Sequence, residues 1–257
     1  MLRWLIRLGI AAILITGLGS QFYGIGMASS EQTLDQLRAS IFTQLEERKT
    51  DISFDYVGDR QELSAQIGSL LREVFAEDDY AAYNVDAYLY TIRTWNGAAK
   101  INLSVTYRES AEEMAVVDGK IRELLPGILK DAVGEQQQAR AIHDWIVTHV
   151  AYDTNLEHYT AYDALTSGTA VCQGYSLLAF RMLELAGFET RIVEGSVDSG
   201  SHVWNLVKVN GRWYHMDATW DDPVPDRAGQ TSYAYFLKTD AQMKQDHRWT
   251  KPYPAAG

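Results

Sequence analysis

Residues 169–187 read TAVCQGYSLLAFRMLELAG and contain the only cysteine of the 257-residue chain, Cys172. Apolar residues recur here at helical spacing, and Gly187 follows the last of them, which is typical of a helix that ends there. The segment therefore predicts a helix with the thiol in its first turn. The unpaired N–H groups at a helix N-terminus favour thiolate over thiol and can bind a developing oxyanion. One apolar face is expected, formed by Tyr175, Leu178, Ala179, Met182 and Leu185.

Two strand-like runs follow this helix, SHVWNLVKV and RWYHMDAT, and the pair Asn210-Gly211 lies between them. This dipeptide is a strong signal for a hairpin with a two-residue turn. Such a turn pairs Trp204 with Asp217 across the hairpin, so that His202 becomes a diagonal neighbour of Asp217 on the same face. Diagonal neighbours lie about 7 to 8 Å apart at the backbone, which lets an imidazole reach a short carboxylate.

A thiol, an imidazole and a carboxylate placed in this way have the chemistry of a nucleophile, its base and the group that orients the base. Each residue also has a structural interpretation. A lone cysteine is often a small buried residue, a strand histidine is often a core or surface group, and Asp217 could cap the next turn. Their joint placement favours a catalytic triad of Cys172, His202 and Asp217, acting through a thioester.

A resemblance to a known family rests on four segments, which read AIHDWIVTHVAYD, AVCQGYSLLAFRMLELAGF, SHVWNLVKVNGRWYHMDATWDDP and YAYFLKTDAQMKQDHRW. Over residues 110–250 the chain resembles the bacterial transglutaminase-like domain family. The resemblance implies an α+β, papain-like core, in which the helix bearing the cysteine packs on an antiparallel sheet. By position it assigns Cys172, His202 and Asp217 to the triad. The family includes crosslinking enzymes, peptidases and deamidases, so it implies the machinery more than the substrate.

Four residues near the predicted triad are candidates for contact with the substrate. An oxyanion needs a second donor besides the backbone amide of Cys172, and Tyr152 is the candidate. Gln173 could let a substrate approach closely, or it could simply suit the start of a helix. Trp204 and Trp220 are expected to line the site, although aromatic residues in such strands are more often part of the core.

No metal and no cofactor are expected from the motifs. The histidines do not form an HExxH or a Cys/His zinc pattern. The run DATWDD from Asp217 lacks the spaced ligands and central glycine of a calcium loop. Phosphate-binding and dinucleotide-binding glycine patterns are also missing from the sequence.

Residues 29–109 are predicted to form a small α+β module that precedes a catalytic domain of residues 110–257. The Asn96-Gly97 pair marks a hairpin within it. The module shows no catalytic constellation and is interpreted as a spacer or docking module. Further helices are expected at 110–130 and 135–150, and Pro126-Gly127 should kink or end the first. In the module, helices are predicted at 31–49 and 62–75, and strands at 52–57, 87–95 and 100–107.

The chain begins MLRWLIRLGIAAILITGLGSQFYGIGMASS. Arg3 and Arg7 precede an apolar run from Leu8 to Leu18, which is typical of a secretory signal. An uncleaved membrane anchor through residues 8–25 is the alternative. Residues 1–28 are therefore assigned to a signal peptide or anchor. The predicted location is extracytoplasmic, either secreted or anchored to the outer face of the cytoplasmic membrane.

Charge and cysteine content narrow the class of partner. Removing Arg3 and Arg7 lowers the 23 basic residues to 21 against 34 acidic ones, a net charge near −13. Such a surface repels nucleic acid and anionic lipid. A single cysteine cannot form a disulfide within the chain, although exported proteins often carry paired cysteines. A protein or peptide substrate is expected, with the cell wall as one place to find it.

The leading hypothesis is an exported cysteine enzyme that transfers an acyl group from an amide, with hydrolysis slightly favoured over transfer to an amine. A non-catalytic surface-binding module that keeps the same fold is the alternative. A sortase-like transpeptidase is a third hypothesis, but it would be expected to use a β-barrel and an arginine near the thiol.

Overall fold

The structure is a computed structural model that describes residues 11–14, 31–95, 97–222 and 231–257. The chain divides into two compact units, one ending at Arg108 and the other running from Glu109 to Gly257. Both units combine helices with antiparallel strand pairs. The predicted α+β class is confirmed.

The first unit packs helices on one four-stranded sheet, in the strand order β1-β3-β4-β2. Strand β1 is parallel to β3, and the other pairs are antiparallel. Trp95 pairs with Ala98, so the turn falls at the predicted Asn96-Gly97 pair, of which Asn96 lies outside the described residues. The elements are β1 (Ala11–Leu14), α1 (Leu34–Glu46), β2 (Asp51–Tyr56), α2 (Arg60–Phe75), α3 (Asp79–Asn84), β3 (Val85–Trp95) and β4 (Ala98–Tyr107).

The helices of this unit form where periodicity and capping agree. Thr33 and Gln36 form a capping box at the start of α1, and the Asp59 carboxylate caps α2. The apolar face of α1, with Leu37 and Ile41, is buried against the sheet, as its spacing predicts.

The predicted signal or anchor of residues 1–28 lies outside the described residues except for β1, which pairs with Leu89–Ile92. Within residues 11–14, 31–95, 97–222 and 231–257, no helix has both the length and the apolar character needed to cross a bilayer.

The second unit places α7 between a three-stranded antiparallel sheet, β7-β8-β9, and the helices α4, α5 and α6. A short parallel pair, β5-β6, leads into α7. The elements are α4 (Ala111–Leu129), α5 (Glu135–His149), β5 (Ala151–Tyr152), α6 (Ala161–Ser167), β6 (Thr169–Ala170), α7 (Cys172–Leu185), β7 (Thr190–Val197), β8 (Gly200–Val209), β9 (Arg212–Met216), α8 (Ala218–Asp221) and α9 (Asp240–Met243).

Helix α7 ends as predicted but is buried more completely than predicted. Gly187 has φ +92, and its N–H donates to the carbonyl of Glu184, while the N–H of Phe188 donates to Leu183. This is the Schellman arrangement that glycine favours. The predicted apolar face is buried apart from the half-buried Leu185, and burial extends beyond that face to every residue from Gly174 to Phe180.

Helix α4 continues through Pro126 to Leu129, so an end at Pro126-Gly127 is wrong. Proline removes one backbone hydrogen bond inside a helix. Burial of Val117, Ile121 and Leu125 on the same helix favours its continuation, because tertiary packing supplies most helical stability.

Candidate active site

Cys172 is the first residue of α7, and it is partly exposed. The approach to the helix is fixed by the β5-β6 pair and by the N–H of Val171, which donates to the carbonyl of His158 at 2.9 Å. A Cβ on Gly174 would lie 2.7 Å from the Cβ of Ala170. Glycine is therefore needed here for close packing, and the thiol is held at a rigid helix start.

The hairpin register that was predicted for β8 and β9 is confirmed, since Val209 pairs with Arg212 and Asn205 with Met216. Strand β9 ends at Met216, one residue earlier than the position opposite Trp204. Asp217 instead becomes the N-cap of α8, and its Oδ1 accepts hydrogen bonds from the N–H groups of the next helix turn. The capping alternative for Asp217 thus holds together with its contact to His202.

His202 lies between the thiol and the carboxylate. Its Nε2 donates to Oδ2 of Asp217 at 2.6 Å, and Cys172 lies near enough to the same imidazole to raise its pKa. With Nε2 bound to Asp217, Nδ1 is the ring nitrogen left for the thiol. The structure therefore places His202 next to Asp217 and near Cys172, and the assignment of the three residues to a catalytic triad remains a prediction.

Electrostatics favour a charged imidazole and a charged carboxylate in this pair. Burial alone would lower the pKa of His202, but the Asp217 carboxylate and then Cys172 raise it to about 10. Burial would raise the pKa of Asp217, but His202 and then His247 hold it well below its usual range. His202 and Asp217 are therefore an ion pair that is almost fully buried.

A second histidine contacts Asp217, and the sequence did not predict it. Nε2 of His247 lies 3.1 Å from Oδ2 of Asp217, and its Nδ1 lies 2.6 Å from Oδ1 of Asp246. Asp246 also accepts from the hydroxyl of Tyr235 at 2.6 Å. A hydrogen-bonded chain therefore runs from His202 through Asp217 and His247 to Asp246.

The two tryptophans differ in position. Trp204 has no exposed surface, and its indole N–H donates to Nδ1 of His215 at 2.8 Å. A fully buried ring has no area to offer a substrate, so the expectation that Trp204 contacts substrate is wrong; it packs behind the imidazole of His202. Trp220 is partly exposed, and its ring centroid lies 5.9 Å from that of His202.

Tyr152 lies close to the thiol. It pairs with Ala170 across β5-β6, two residues before Cys172. Burial and then the charge of Cys172 raise the pKa of its hydroxyl, which therefore remains a hydrogen-bond donor at neutral pH. Gln173, the second residue of α7, is partly exposed, and its contact with a substrate remains a prediction.

The other two acids of the DATWDD run bind different partners. Asp221 Oδ2 lies 3.1 Å from Nε2 of His143 on α5, and Asp222 accepts from the hydroxyl of Tyr175 on α7 at 2.6 Å. Burial lowers the pKa of His143, but hydrogen bonds to Asp144 and Asp221 outweigh it and raise that pKa. No sequence pattern predicted these pairings, which join residues far apart in the chain.

The nearest approach to a metal-binding geometry within the described residues is the set His202, Asp217 and His247, whose ligand atoms lie within 4.8 Å of one another. These atoms already hydrogen-bond to each other. The absence of a metal or cofactor remains a prediction from the motifs.

Comparison with known proteins places the site within a matched region. Residues 122–218 match the core of the transglutaminase-like superfamily. Kyphoscoliosis peptidase is 29% identical, over 161 residues in the Mus musculus protein and 148 in the Homo sapiens protein. These matches cover 54% and 49% of this chain, but 24% and 22% of the relatives' own lengths. A crystal structure described as a TGase has a TM-score of 0.40 and 14% identity, over 65% of this chain and 50% of that chain.

Proposed function

Because residues 122–218 form a transglutaminase-like domain, we propose that the chain is a cysteine-dependent acyl-transfer enzyme that attacks amide bonds of proteins or peptides. The observation that carries the proposal is the position of His202, which is hydrogen-bonded to the Asp217 carboxylate and lies near Cys172 at the start of α7. This is the geometry that nucleophilic catalysis by a thiol requires.

In the proposed reaction, the thiol proton already lies on His202 as the imidazolium paired with Asp217, and the thiolate Sγ of Cys172 forms a bond to the amide carbonyl carbon. The tetrahedral oxyanion is held by the backbone N–H of Cys172, with the hydroxyl of Tyr152 as second donor. The carbon–nitrogen bond then breaks, and His202 returns the proton to the leaving amine. A thioester remains on Cys172, and water or a second amine attacks it to release the acyl group.

Asp217 serves this cycle by holding His202 in one tautomer. Since the carboxylate accepts from Nε2, the lone pair of Nδ1 is directed at the thiol when the imidazole is neutral. After proton transfer, the buried carboxylate stabilises the imidazolium. Hydrolysis is favoured slightly over transfer to an amine, because no feature of the sequence indicates a groove for a lysine donor.

The setting of the enzyme is part of the proposal. The basic and apolar start of the chain supports export, by a signal peptide or an anchor within residues 8–25. The acidic surface supports a substrate that is neutral or basic around the scissile bond. Residues 29–109 would then act as a spacer or as a docking module towards the cell wall.

A non-catalytic binding module with the same fold is the competing function, and the reactivity of the thiol separates the two. The test is the rate of alkylation of Cys172 by iodoacetamide against pH, in the wild-type chain and in His202→Ala. An ordinary thiol begins to react near pH 8.5. In the wild-type chain we expect the alkylation rate to rise at a pH well below this value, and in His202→Ala we expect it to rise near this value. Equal profiles would exclude an activated pair and favour the binding module.

A second assay addresses the reaction itself. Unfolded protein substrates, with and without a fluorescent primary amine, are incubated with wild type or Cys172→Ser. New N-termini indicate peptide hydrolysis, released ammonia without label indicates deamidation, and incorporated label indicates crosslinking chemistry. Activity in Cys172→Ser equal to that of wild type would contradict the assignment of the nucleophile.

A further inference from the structure

The carboxylate of Asp217 is bound on every side. Its Oδ1 accepts from the N–H groups of Thr219 and Trp220, at 3.1 and 3.2 Å. Its Oδ2 faces two imidazoles, at 2.6 Å from Nε2 of His202 and 3.1 Å from Nε2 of His247. An ionised carboxylate only accepts hydrogen bonds, so each nitrogen must carry a hydrogen to bind it.

His247 is also held on the side away from Asp217, by a side-chain contact and by its neighbouring backbone. It is fully buried, and its Nδ1 faces Asp246, whose other oxygen accepts from Tyr235. The next residue, Arg248, exchanges two backbone hydrogen bonds of 2.8 Å with Ser196 on β7. The imidazole is therefore fixed both by a side-chain bond and by its backbone.

Two tryptophan rings pack on the imidazole of His247. Its centroid lies 4.6 Å from that of Trp220 and 4.9 Å from that of Trp204, both close to perpendicular. Among the described residues, the titratable groups near it are Asp217, Asp246, Tyr235, His202 and His215. A ring that served only to fill this space would not need a nitrogen directed at Asp217.

We propose that His247 is a positioning residue, whose Nε2–H holds the Asp217 carboxylate in the orientation that binds His202. The inference rests on the proposed function, because it gives His247 a role in keeping His202 ready to accept the thiol proton. The hydrogen bond from His247 towards the site goes to Asp217, so we assign its role to holding that carboxylate. Loss of this donor would let the carboxylate rotate and weaken its bond to the imidazolium of His202.

The test compares His247→Gln with His247→Leu in the full chain. The amide nitrogen of glutamine can take the place of Nε2 and donate to Asp217, whereas leucine fills the volume without a donor. In His247→Leu we expect the pH at which the iodoacetamide alkylation rate rises to increase towards that of an ordinary thiol, about 8.5. Below that rise, the rate should fall by up to about 10-fold, which is less than the ~10- to 100-fold effect of a direct hydrogen bond to a charged group, because His247 acts on His202 through Asp217. Glutamine should restore most of the rate.

His215→Leu is the matched control. His215 is equally buried, contacts the same Trp204 and bonds to a carboxylate, Asp240, but it does not bond to Asp217. Thermal unfolding of each variant records the loss of stability separately. We expect His215→Leu to lose stability while keeping the wild-type alkylation profile. A wild-type profile in His247→Leu, or an equal displacement in His215→Leu, would overturn the inference.

A measurement on the wild-type protein keeps the inference testable if the leucine variant does not fold. With 15N-labelled histidine, NMR at neutral pH should show a hydrogen on Nε2 of His247, and a bare Nε2 would overturn the proposal. If the proposed function itself is wrong, the alkylation rate of the wild-type protein would already rise only near pH 8.5, the range of an ordinary thiol. That result differs from a wild-type rise at low pH that His247→Leu leaves unchanged.

Discussion

Asp217→Asn tests the contribution of one buried charge to the reactivity of the thiol. Asparagine keeps the shape and can still cap α8. Its amide nitrogen would face Nε2 of His202 where a carboxylate oxygen now accepts at 2.6 Å, so two donors would meet unless the imidazole changes tautomer. In the changed tautomer Nδ1 carries the hydrogen and cannot take the proton of Cys172.

The size of the effect follows from the hydrogen bond that is lost. A bond to a charged group contributes about 1.5 to 3 kcal/mol, and one pH unit corresponds to about 1.4 kcal/mol. The rise in alkylation rate should therefore move up by about one to two pH units. Below the rise, the rate should fall about 10- to 100-fold.

The assay is the second-order rate of iodoacetamide alkylation from pH 5 to 10, read by mass spectrometry. Asp222→Asn is the control, since Asp222 is buried in the same run but accepts from Tyr175 and not from His202. We expect it to lower stability and to leave the alkylation profile in place. A wild-type alkylation profile in Asp217→Asn, or an equal shift of the profile in Asp217→Asn and Asp222→Asn, would contradict a role for the Asp217 charge in the reactivity of the thiol.

Three further predictions concern stability. Gly195→Ala should destabilise by about 1 to 3 kcal/mol or more in urea unfolding, because the new Cβ would lie 2.6 Å from the ring of Trp204. Gly127→Ala should instead stabilise by about 0.5 to 1 kcal/mol, since nothing lies within 4 Å of that Cβ inside α4; a loss of stability would contradict open space there. His143→Gln tests a pH effect: because the folded-state pKa of His143 is raised, the stability it contributes is fully present below about pH 6.5 and is lost as the pH rises through the folded pKa. The difference in unfolding free energy between wild type and His143→Gln should shrink with rising pH, and a constant difference would contradict the ion pair with Asp221.

The parts of the structure that sequence could predict are those that local rules determine. The spacing of Leu37 and Ile41 predicted α1, and the two-residue turn at Asn210-Gly211 set the register of β8 and β9. That register was enough to bring His202 to Asp217, because a strand fixes which side chains share a face.

Local rules did not predict which residues are buried in β8. Alternation between buried and exposed positions requires one solvent-facing side of a sheet. Strand β8 lies between β7 and β9, and every residue from His202 to Val207 is buried. Trp204 was therefore misassigned to a substrate-facing position, although its ring is closed in by Trp249 and His247.

His247 could not be predicted for a related reason. It lies 30 residues after Asp217, beyond α9, and reaches the site through the pairing of Arg248 with Ser196 on the edge of β7. Such a pairing has no sequence period. Gly195 is the one indirect sign of it, because any side chain there would meet the carbonyl of Arg248 and the ring of Trp204.

The DATWDD run shows why the stability and the reactivity of this site must be measured separately. Asp217 binds His202 and His247. Asp221 binds His143 on α5, and Asp222 binds Tyr175 on α7. One short turn therefore joins two helices to the strand that carries the imidazole. Removing any of the three carboxylates should cost stability, because each removes a buried hydrogen bond, although the Tyr175 hydroxyl keeps the Val150 carbonyl as an acceptor. Only the first contacts the group that accepts the thiol proton, so only its loss should change the pH at which the thiol becomes reactive.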